Sequence, residues 1–283
     1  MSQYKIQVTC DSTCDLTPEL YEKYNIVVMP LTVTLGDKAY KDSIDIDGPM
    51  IFDYVAKTGV LPKTSAISIG EYTDFFKPFV DDGYTVIHIN LSSGLSSSHQ
   101  NARLAAEELG NVYVIDSLNL SSGSGHLAIA ARELEAEGLA PEEIADHLNE
   151  MKSRLDVSFI ISELDYLHKG GRCSGVAAFG ANLLKLRPCI EVVDGGMIVG
   201  KKFRGSTEKT IKEYITSRLE GREDLQLNRI FLTHSHAPAE VVNEMLGYIK
   251  ELQPFAEVIE TVAGSTITSH CGKGCLGVLF FKK

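Results

Sequence analysis

The sequence predicts an α/β protein of two domains: an N-terminal three-layer α/β/α domain with a parallel sheet and a C-terminal α/β domain with a mixed sheet. Three observations carry this. Strand and helix signals alternate through the first half, a hairpin signal interrupts them in the second, and 283 residues suffice for two ordinary cores without metal or disulfide staples. With 44% hydrophobic and 23% charged residues, the chain is neither disordered nor fibrous in composition.

Ile6 to Cys10 is a short apolar strand. Thr17-Pro18 then supplies an N-cap and a first-turn proline for a helix with Leu20, Tyr21 and Tyr24 on one face. Ile26 to Leu35 is β-branched and alternating and reads as a strand, as do Thr85 to Leu91 and Val112 to Asp116. Between the last two, Ala102, Ala105, Ala106 and Leu109 recur at helical spacing. A helix through Leu127, Ala130, Ala131 and Leu134 stops near Gly138, and Pro141 opens another with Ile144, Leu148, Met151 and Leu155 in register. Strands separated by helices imply a parallel sheet covered on both faces.

In the second half, Val157 to Ile161 reads as a strand and Val176 to Leu186 as a helix. Ile190 to Val193 and Met197 to Lys201 are joined by Asp194-Gly195-Gly196, a hairpin signal, so the second sheet is mixed. Thr207 to Leu219 and Pro238 to Leu252 are helices, and Ile230 to Thr233, Val258 to Val262 and Gly277 to Phe281 complete the strands. The boundary falls near residue 155, giving domains 1–155 and 156–283 with a cleft between them and no internal repeat.

A net charge of -11 argues against nucleic acid, whose affinity rests on neutralising many phosphates with Lys and Arg. No apolar run reaches the roughly 20 residues of a membrane span, and Met1 to Lys5 leads into a strand without a signal-peptide core, so a cytoplasmic location is expected. Six cysteines in such a chain read as reduced thiols. Cys10 and Cys14, like Cys271 and Cys275, are four apart and lack the Cys-x-x-Cys spacing of redox and zinc sites, so no metal is expected.

Ligands of open parallel sheets bind beyond the carboxyl ends of the strands. The hydroxyls cluster there: Asp11-Ser12-Thr13, Leu91-Ser92-Ser93-Gly94-Leu95-Ser96 and Asp116-Ser117 follow strands, and Thr64-Ser65 sits in a loop between helical stretches. Each such loop reads either as a helix cap or as part of an oxyanion site built from N–H groups, hydroxyls and a helix dipole. Ser117 fits a cap, whereas Thr64, Ser93 and the Gly94 N–H are candidates for direct contact.

Other motifs lack their context. Gly272 to Gly277 fits Gly-x-Gly-x-x-Gly but enters a terminal strand, and Gly123 to Ala128 opens a helix without the acidic ribose partner. Gly195 to Lys201 nearly spells a P-loop, yet Lys202 stands where Ser or Thr must hold magnesium. There is no Gly-x-Ser-x-Gly elbow, although Ser93 and His270 could join an aspartate in a hydrolase triad. His234-Ser235-His236 has no neighbouring carboxylate or Cys to complete a metal set. The polar stretch Ser265 to Gly274 reads as a loop entering the last strand. Gly170-Gly171-Arg172 and Phe203-Arg204-Gly205 each present an arginine, either as solvated surface or as a pair gripping a phosphate or acidic partner.

Taken in order, Cys10-Asp11-Ser12-Thr13-Cys14-Asp15-Leu16, Asp42-Ser43-Ile44-Asp45-Ile46, Lys63-Thr64-Ser65, Leu91 to Ser96, Asp116-Ser117, Gly170-Gly171-Arg172, Leu186-Arg187-Pro188, Phe203-Arg204-Gly205 and His270 to Gly274 form one string. It resembles the DegV family, the bacterial fatty-acid-binding group that includes the FakB subunits of fatty acid kinase, along nearly the whole chain. The resemblance implies a long-chain fatty acid buried in a cleft or tunnel between the domains, its carboxylate held by Thr64, Ser93, the Gly94 N–H and His270. It also implies that Arg172 and Arg204 serve docking or phosphoryl transfer with a separate ATP-binding kinase subunit, so that this chain is a carrier without a cofactor of its own. Leu95-Ser96-Ser97-Ser98 departs from the family's Leu-Ser-Gly-Thr in that loop.

Burying about 15 methylenes at about 0.8 kcal/mol each supplies on the order of 12 kcal/mol gross, from which ordering the chain takes several. Tight binding can then rest on the tail, leaving neutral donors to orient the head, while a protonated or hydrogen-bonding His270 would help keep a buried carboxylate charged. The alternative reading is a serine-dependent hydrolase or acyltransferase using Ser93 and His270.

Overall fold

The computed structural model describes residues 4–173, 175 and 186–283. Strand β1 (Ile6–Asp11) is buried at every position, as a strand covered on both faces must be. It pairs in parallel with β2 (Ile26–Met29) and β6 (Thr85–Asn90), and β6 with β7 (Val112–Asp116), giving the order β2-β1-β6-β7. Helices α3 (Ile69–Asp81) and α4 (Ser98–Leu109) cover one face, with Tyr72, Phe76, Ala102 and Ala105 packed on Met29 and Val86. Helices α5 (Ser122–Ala136) and α6 (Pro141–Met151) cover the other, where Leu127, Ile144 and Leu148 share a core with Val8, Ile87 and Ile89.

The second sheet has the order β10-β9-β8-β13-β11-β12. Its strands are β8 (Leu155–Ile160), β9 (Leu186–Val193), β10 (Gly196–Arg204), β11 (Leu225–His234), β12 (Glu257–Val262) and β13 (Leu276–Lys282). Only β11 and β12 pair in parallel, so the sheet is mixed. The β9–β10 turn is Asp194-Gly195, with φ of +48° and +78°, the two left-handed residues that match the strands' twist in a two-residue hairpin. Helices α8 (Thr207–Leu219) and α9 (Ala239–Leu252) cover one face through Ile211, Tyr214, Ile215, Met245 and Ile249.

The other face receives α5. Val157, Phe231 and Leu279 join the α5 core, and His126 Nε2 lies 3.0 Å from the Leu279 carbonyl. One helix is therefore the layer between the two sheets, and Ser122 to Ala131 are all buried. A Cβ on Gly123 would come within 2.6 Å of Asn119 Oδ1, and one on Gly125 within 2.8 Å of the Cys14 carbonyl. The Gly-x-Gly that looked like a nucleotide turn is thus a close-packing device.

Four expectations need correction. Ile26 to Leu35 is two strands, because Pro30 has no N–H to carry a ladder onward. β2 stays in the parallel sheet, while β3 (Thr32–Leu35) forms a third, antiparallel sheet with β4 (Lys38–Lys41) and β5 (Lys63–Ser65) in the order β4-β3-β5. Thr64 and Ser65, expected in a loop, consequently lie on β5. Leu155 opens β8 instead of continuing α6, which ends at Met151 before a turn of 3-10 helix. Ser265 to Gly274 is not a loop: Ser265–Cys271 is helix α10, ended by Gly272 at φ +71°. Burial of Ser265, Thr266, Thr268 and Ser269 overrides their poor helix propensity.

The remaining helices are α1 (Pro18–Lys23), α2 (Gly48–Thr58) and α7 (Leu164–Gly170). The helix expected from Val176 lies outside the described residues, apart from Leu186, which begins β9. Among the described residues no helix is long and apolar enough to cross a membrane, and no cluster of three His, Cys, Asp or Glu could hold a metal ion.

Candidate functional site

The site begins where β1 ends. The buried Asp11 carboxylate accepts from Tyr72 OH at 2.7 Å, Asn90 Nδ2 at 3.0 Å and the Leu91 N–H at 2.9 Å, and lies 3.2 Å from His88 Nε2. Thr9 Oγ1 holds the other His88 nitrogen at 2.8 Å. This network fixes the start of the 91–97 loop, from which Leu91, Leu95, Ser96 and Ser97 line a partly enclosed cavity of about 190 Å³. Leu31, Leu120, Met197 and Ile267 continue the apolar wall, so strands, loops and helices of both halves contribute.

Thr64 from β5 and His270 from α10 close one side, with Thr64 Oγ1 2.8 Å from His270 Nε2. The ring is wedged against α7: a Cβ on Gly170 would lie 2.6 Å from Nδ1. Buried His270 Nδ1 and Thr266 Oγ1 have no hydrogen-bond partner, and both residues line the cavity. Burial, helped by the nearby Arg172 charge, pulls the His270 pKa down to about 4. The imidazole is neutral at neutral pH, which leaves the hydrogen-bonding one of the two expected roles. One hydroxyl proton and one ring proton are then available, and the Thr64–His270 bond uses one. The other, on Thr64 Oγ1 or His270 Nδ1, is left for a ligand.

Arg172, expected on a partner-facing surface, lines this same cavity although its side chain is exposed, with Nη1 2.5 Å from the Gly170 carbonyl. A cation therefore stands beside the neutral pair. Ser93 and Gly94 are placed differently. Both are exposed; the Ser93 N–H donates to Asp116 Oδ1 at 3.1 Å, and the Gly94 N–H donates to Ser92 Oγ at 3.1 Å. Neither is among the residues that line the cavity. Their loop clasps the hairpin: Ser92 Oγ donates to the Gly195 carbonyl at 2.7 Å, and a Cβ on Gly94 would lie 2.6 Å from that same oxygen. Ser93 therefore pairs with Asp116 and His270 with Thr64, so the Ser–His hydrogen bond of a hydrolase is not formed. Arg204 is exposed at the end of β10 and is not among the lining residues. His234 Nε2 faces Glu260 at 3.0 Å and Nδ1 accepts from the Ala237 N–H, so both ring nitrogens are engaged in holding the turn after β11.

Thr266, Ser96 and Arg172 are lining residues that sequence reasoning either missed or assigned elsewhere. The spacing of Ile267 and Cys271, one turn apart around His270, was the available signal for an α10 face.

Acid stability should report the His270 environment. Burial lowers both His270, to about 4, and His126, to about 3, from an ordinary 6.5. Below 6.5 the unfolded chain takes up protons that the folded chain refuses. Their stabilisation is therefore complete above 6.5 and is lost as pH falls toward 4 and 3, at about 1.4 kcal/mol per group per pH unit. Asp15, raised by burial, acts in the opposite sense. His270→Gln is expected to flatten the fall of the urea midpoint between pH 6.5 and 4 relative to the parent; parallel curves would mean that His270 is charged in the folded state.

The fold and cavity define the class: a two-domain α/β protein with a largely apolar cavity bordered by hydroxyls, an imidazole and a guanidinium. The model of the DegV family of uncharacterised proteins matches residues 5–283, and the chain belongs to that family. A DegV domain-containing protein of Clostridium acetobutylicum is 32% identical over 283 residues, covering 99% of each chain. Among solved structures, a DegV family protein from Thermus thermophilus, described by its fatty acid binding, superposes with a TM-score of 0.87 at 28% identity, covering 99% of this chain and 100% of its own. A Thermotoga maritima protein described as revealing a fatty acid binding function gives 0.84 at 30% identity, covering 99% and 100%.

Proposed function

We propose that this chain binds a long-chain fatty acid in the cavity between its halves, the carboxylate meeting the Thr64–His270 pair and the acyl chain lying on the Leu and Ile wall. The observation that carries the reading is the pairing of an apolar cavity with a neutral hydroxyl–imidazole couple that retains one unused proton. A smaller cavity of about 20 Å³ shares Leu120, Ile267 and Cys271 with the first and reaches Phe159 of β8 and Leu279 of β13. It supports a path for the tail toward β8 and β13, with the head group held between β5 of the first half and α10 of the second. The family relatives described as fatty-acid-binding support the same ligand class. The test is to purify the protein without added lipid, denature it and analyse the organic extract by mass spectrometry. A stoichiometric free fatty acid is expected; an empty extract together with failure to take up added fatty acid overturns the reading.

The finer proposal is that the loaded protein, a carrier with no cofactor, presents its fatty acid to a separate ATP-binding kinase subunit for acyl-phosphate formation. The arginines at the cavity rim and at the end of β10 support it, since guanidinium suits phosphate bidentately. Arg172→Ala and Arg204→Ala are expected to spare lipid uptake and to lower acyl-phosphate yield with such a subunit. Loss of uptake in Arg172→Ala would make Arg172 a carboxylate ligand instead, and unchanged yields would remove both from the transfer.

A further inference from the structure

Helix α10 carries four hydroxyls, and three of them are occupied. Ser265 Oγ donates to the Ile46 carbonyl at 2.8 Å, Thr268 Oγ1 to the Ala263 carbonyl at 3.1 Å and Ser269 Oγ to the Ser265 carbonyl at 2.7 Å. The fourth, Thr266 Oγ1, has no hydrogen-bond partner among the described residues, although Thr266 is only 3% exposed. A helical threonine can donate back to a carbonyl one turn earlier, and Thr266 does not take that route. An unpaired hydroxyl in a buried setting is a net cost to the fold, so its presence calls for a partner that arrives from outside the chain.

Its place names the partner. Thr266 lines the same cavity as Thr64 and His270, beside Leu31, Leu95, Leu120 and Ile267. Residues four apart on a helix stand one above the other, with Cβ atoms about 5–6 Å apart. Thr266 and His270 have that spacing, so the free hydroxyl stands one turn from the imidazole that Thr64 engages. A carboxylate has two oxygens, and charge-assisted hydrogen bonds of about 2.5–2.9 Å, one to each oxygen, can bridge donors at such a separation. Threonine divides between two χ1 rotamers in a helix, which lets the hydroxyl turn toward a ligand without moving the backbone.

We propose that Thr266 is a specificity-determining residue of the fatty-acid site, its hydroxyl donating to the second carboxylate oxygen while the Thr64–His270 pair donates to the first. The inference rests on the fatty-acid reading and adds to it a preference for a carboxylate over a head group with a single oxygen. A fatty alcohol of equal length engages one arm and leaves the other hydroxyl unpaired inside the wall, the situation in which a polar site discriminates most strongly. In the empty protein the same hydroxyl weakens the fold, so ligand binding and stability pull on Thr266 in opposite directions.

The test compares the parent with Thr266→Val, which keeps the shape and removes the hydroxyl, and with Thr266→Ser, which restores it. Palmitic acid and hexadecanol are titrated into the delipidated proteins. Thr266→Val is expected to bind palmitic acid about tenfold more weakly, with a much smaller loss for hexadecanol, and Thr266→Ser to recover most of the acid affinity. The lipid-free Thr266→Val protein should melt no lower than the parent, because a methyl replaces an unpaired hydroxyl. A lowered melting temperature would give the hydroxyl a structural partner, and unchanged palmitic acid affinity, or equal losses for acid and alcohol, would take it off the carboxylate. Each of these overturns the proposal and leaves the fatty-acid reading standing, whereas a parent that takes up neither probe overturns both.

Discussion

His270→Ala is expected to weaken fatty-acid affinity by about 10- to 100-fold, read by fluorescence or calorimetric titration. The magnitude follows from the hydrogen bond that the Thr64–His270 pair offers a carboxylate, since such charge-assisted bonds contribute about 1.5–3 kcal/mol. Because the pair shares its protons, the two residues act as a unit. Thr64→Val should produce a loss of similar size, and the double variant should be little worse than either single one, a strongly non-additive cycle. A merely structural role for His270 predicts additive losses and a lowered melting temperature in step with affinity. Unchanged affinity in His270→Ala would take the pair out of the head-group site and leave Arg172 to hold the carboxylate.

Asp11→Ala is expected to cost on the order of 3–5 kcal/mol of unfolding free energy, a large part of the 5–15 kcal/mol available to a typical protein. Asp11 accepts from the Leu91 N–H and faces His88 Nε2, and Tyr72 and Asn90 would also lose an acceptor inside the core. The consequence reaches the cavity, because the bond to Leu91 begins the loop that supplies Leu91, Leu95, Ser96 and Ser97 to its wall. Urea unfolding followed by circular dichroism measures the cost, and lipid uptake below the melting transition measures the displaced loop. A loss under about 1 kcal/mol would mean that water replaces the carboxylate, and that the network does not set the loop.

Much of the fold was legible in the chain. The parallel strands, the helix opened by Pro141, the Asp194-Gly195 hairpin and the helix from Thr207 to Leu219 follow from periodicity, caps and turn residues, all of which act over a few neighbours. The small β4-β3-β5 sheet was not, although Gly36-Asp37 is a two-residue hairpin signal, because its strands are short and β5 is contributed from more than twenty residues downstream. Helix α10 was illegible for a different reason. Its Ser and Thr residues prefer caps and turns in isolation, and only burial against the rest of the molecule makes them helical.

The site divides along the same line. Residue types and their order along the chain carried the resemblance that identified the family, and through it the proposal of Thr64 and His270 for the carboxylate, since such motifs are local features. That these two residues, 206 positions apart, touch at 2.8 Å was decided only by packing β5 and α10 together. So was the neutrality of the imidazole, which arises from enclosure and from Arg172 and so cannot be read from a single residue. The placement of Ser93 was decided in the same way: sequence puts it after β6, but the clasp of Ser92 and Gly94 on Gly195 turns it toward Asp116 and solvent. Periodicity and turn chemistry are short-range and written in the chain, whereas desolvation and long-range contacts exist only once the layers have closed.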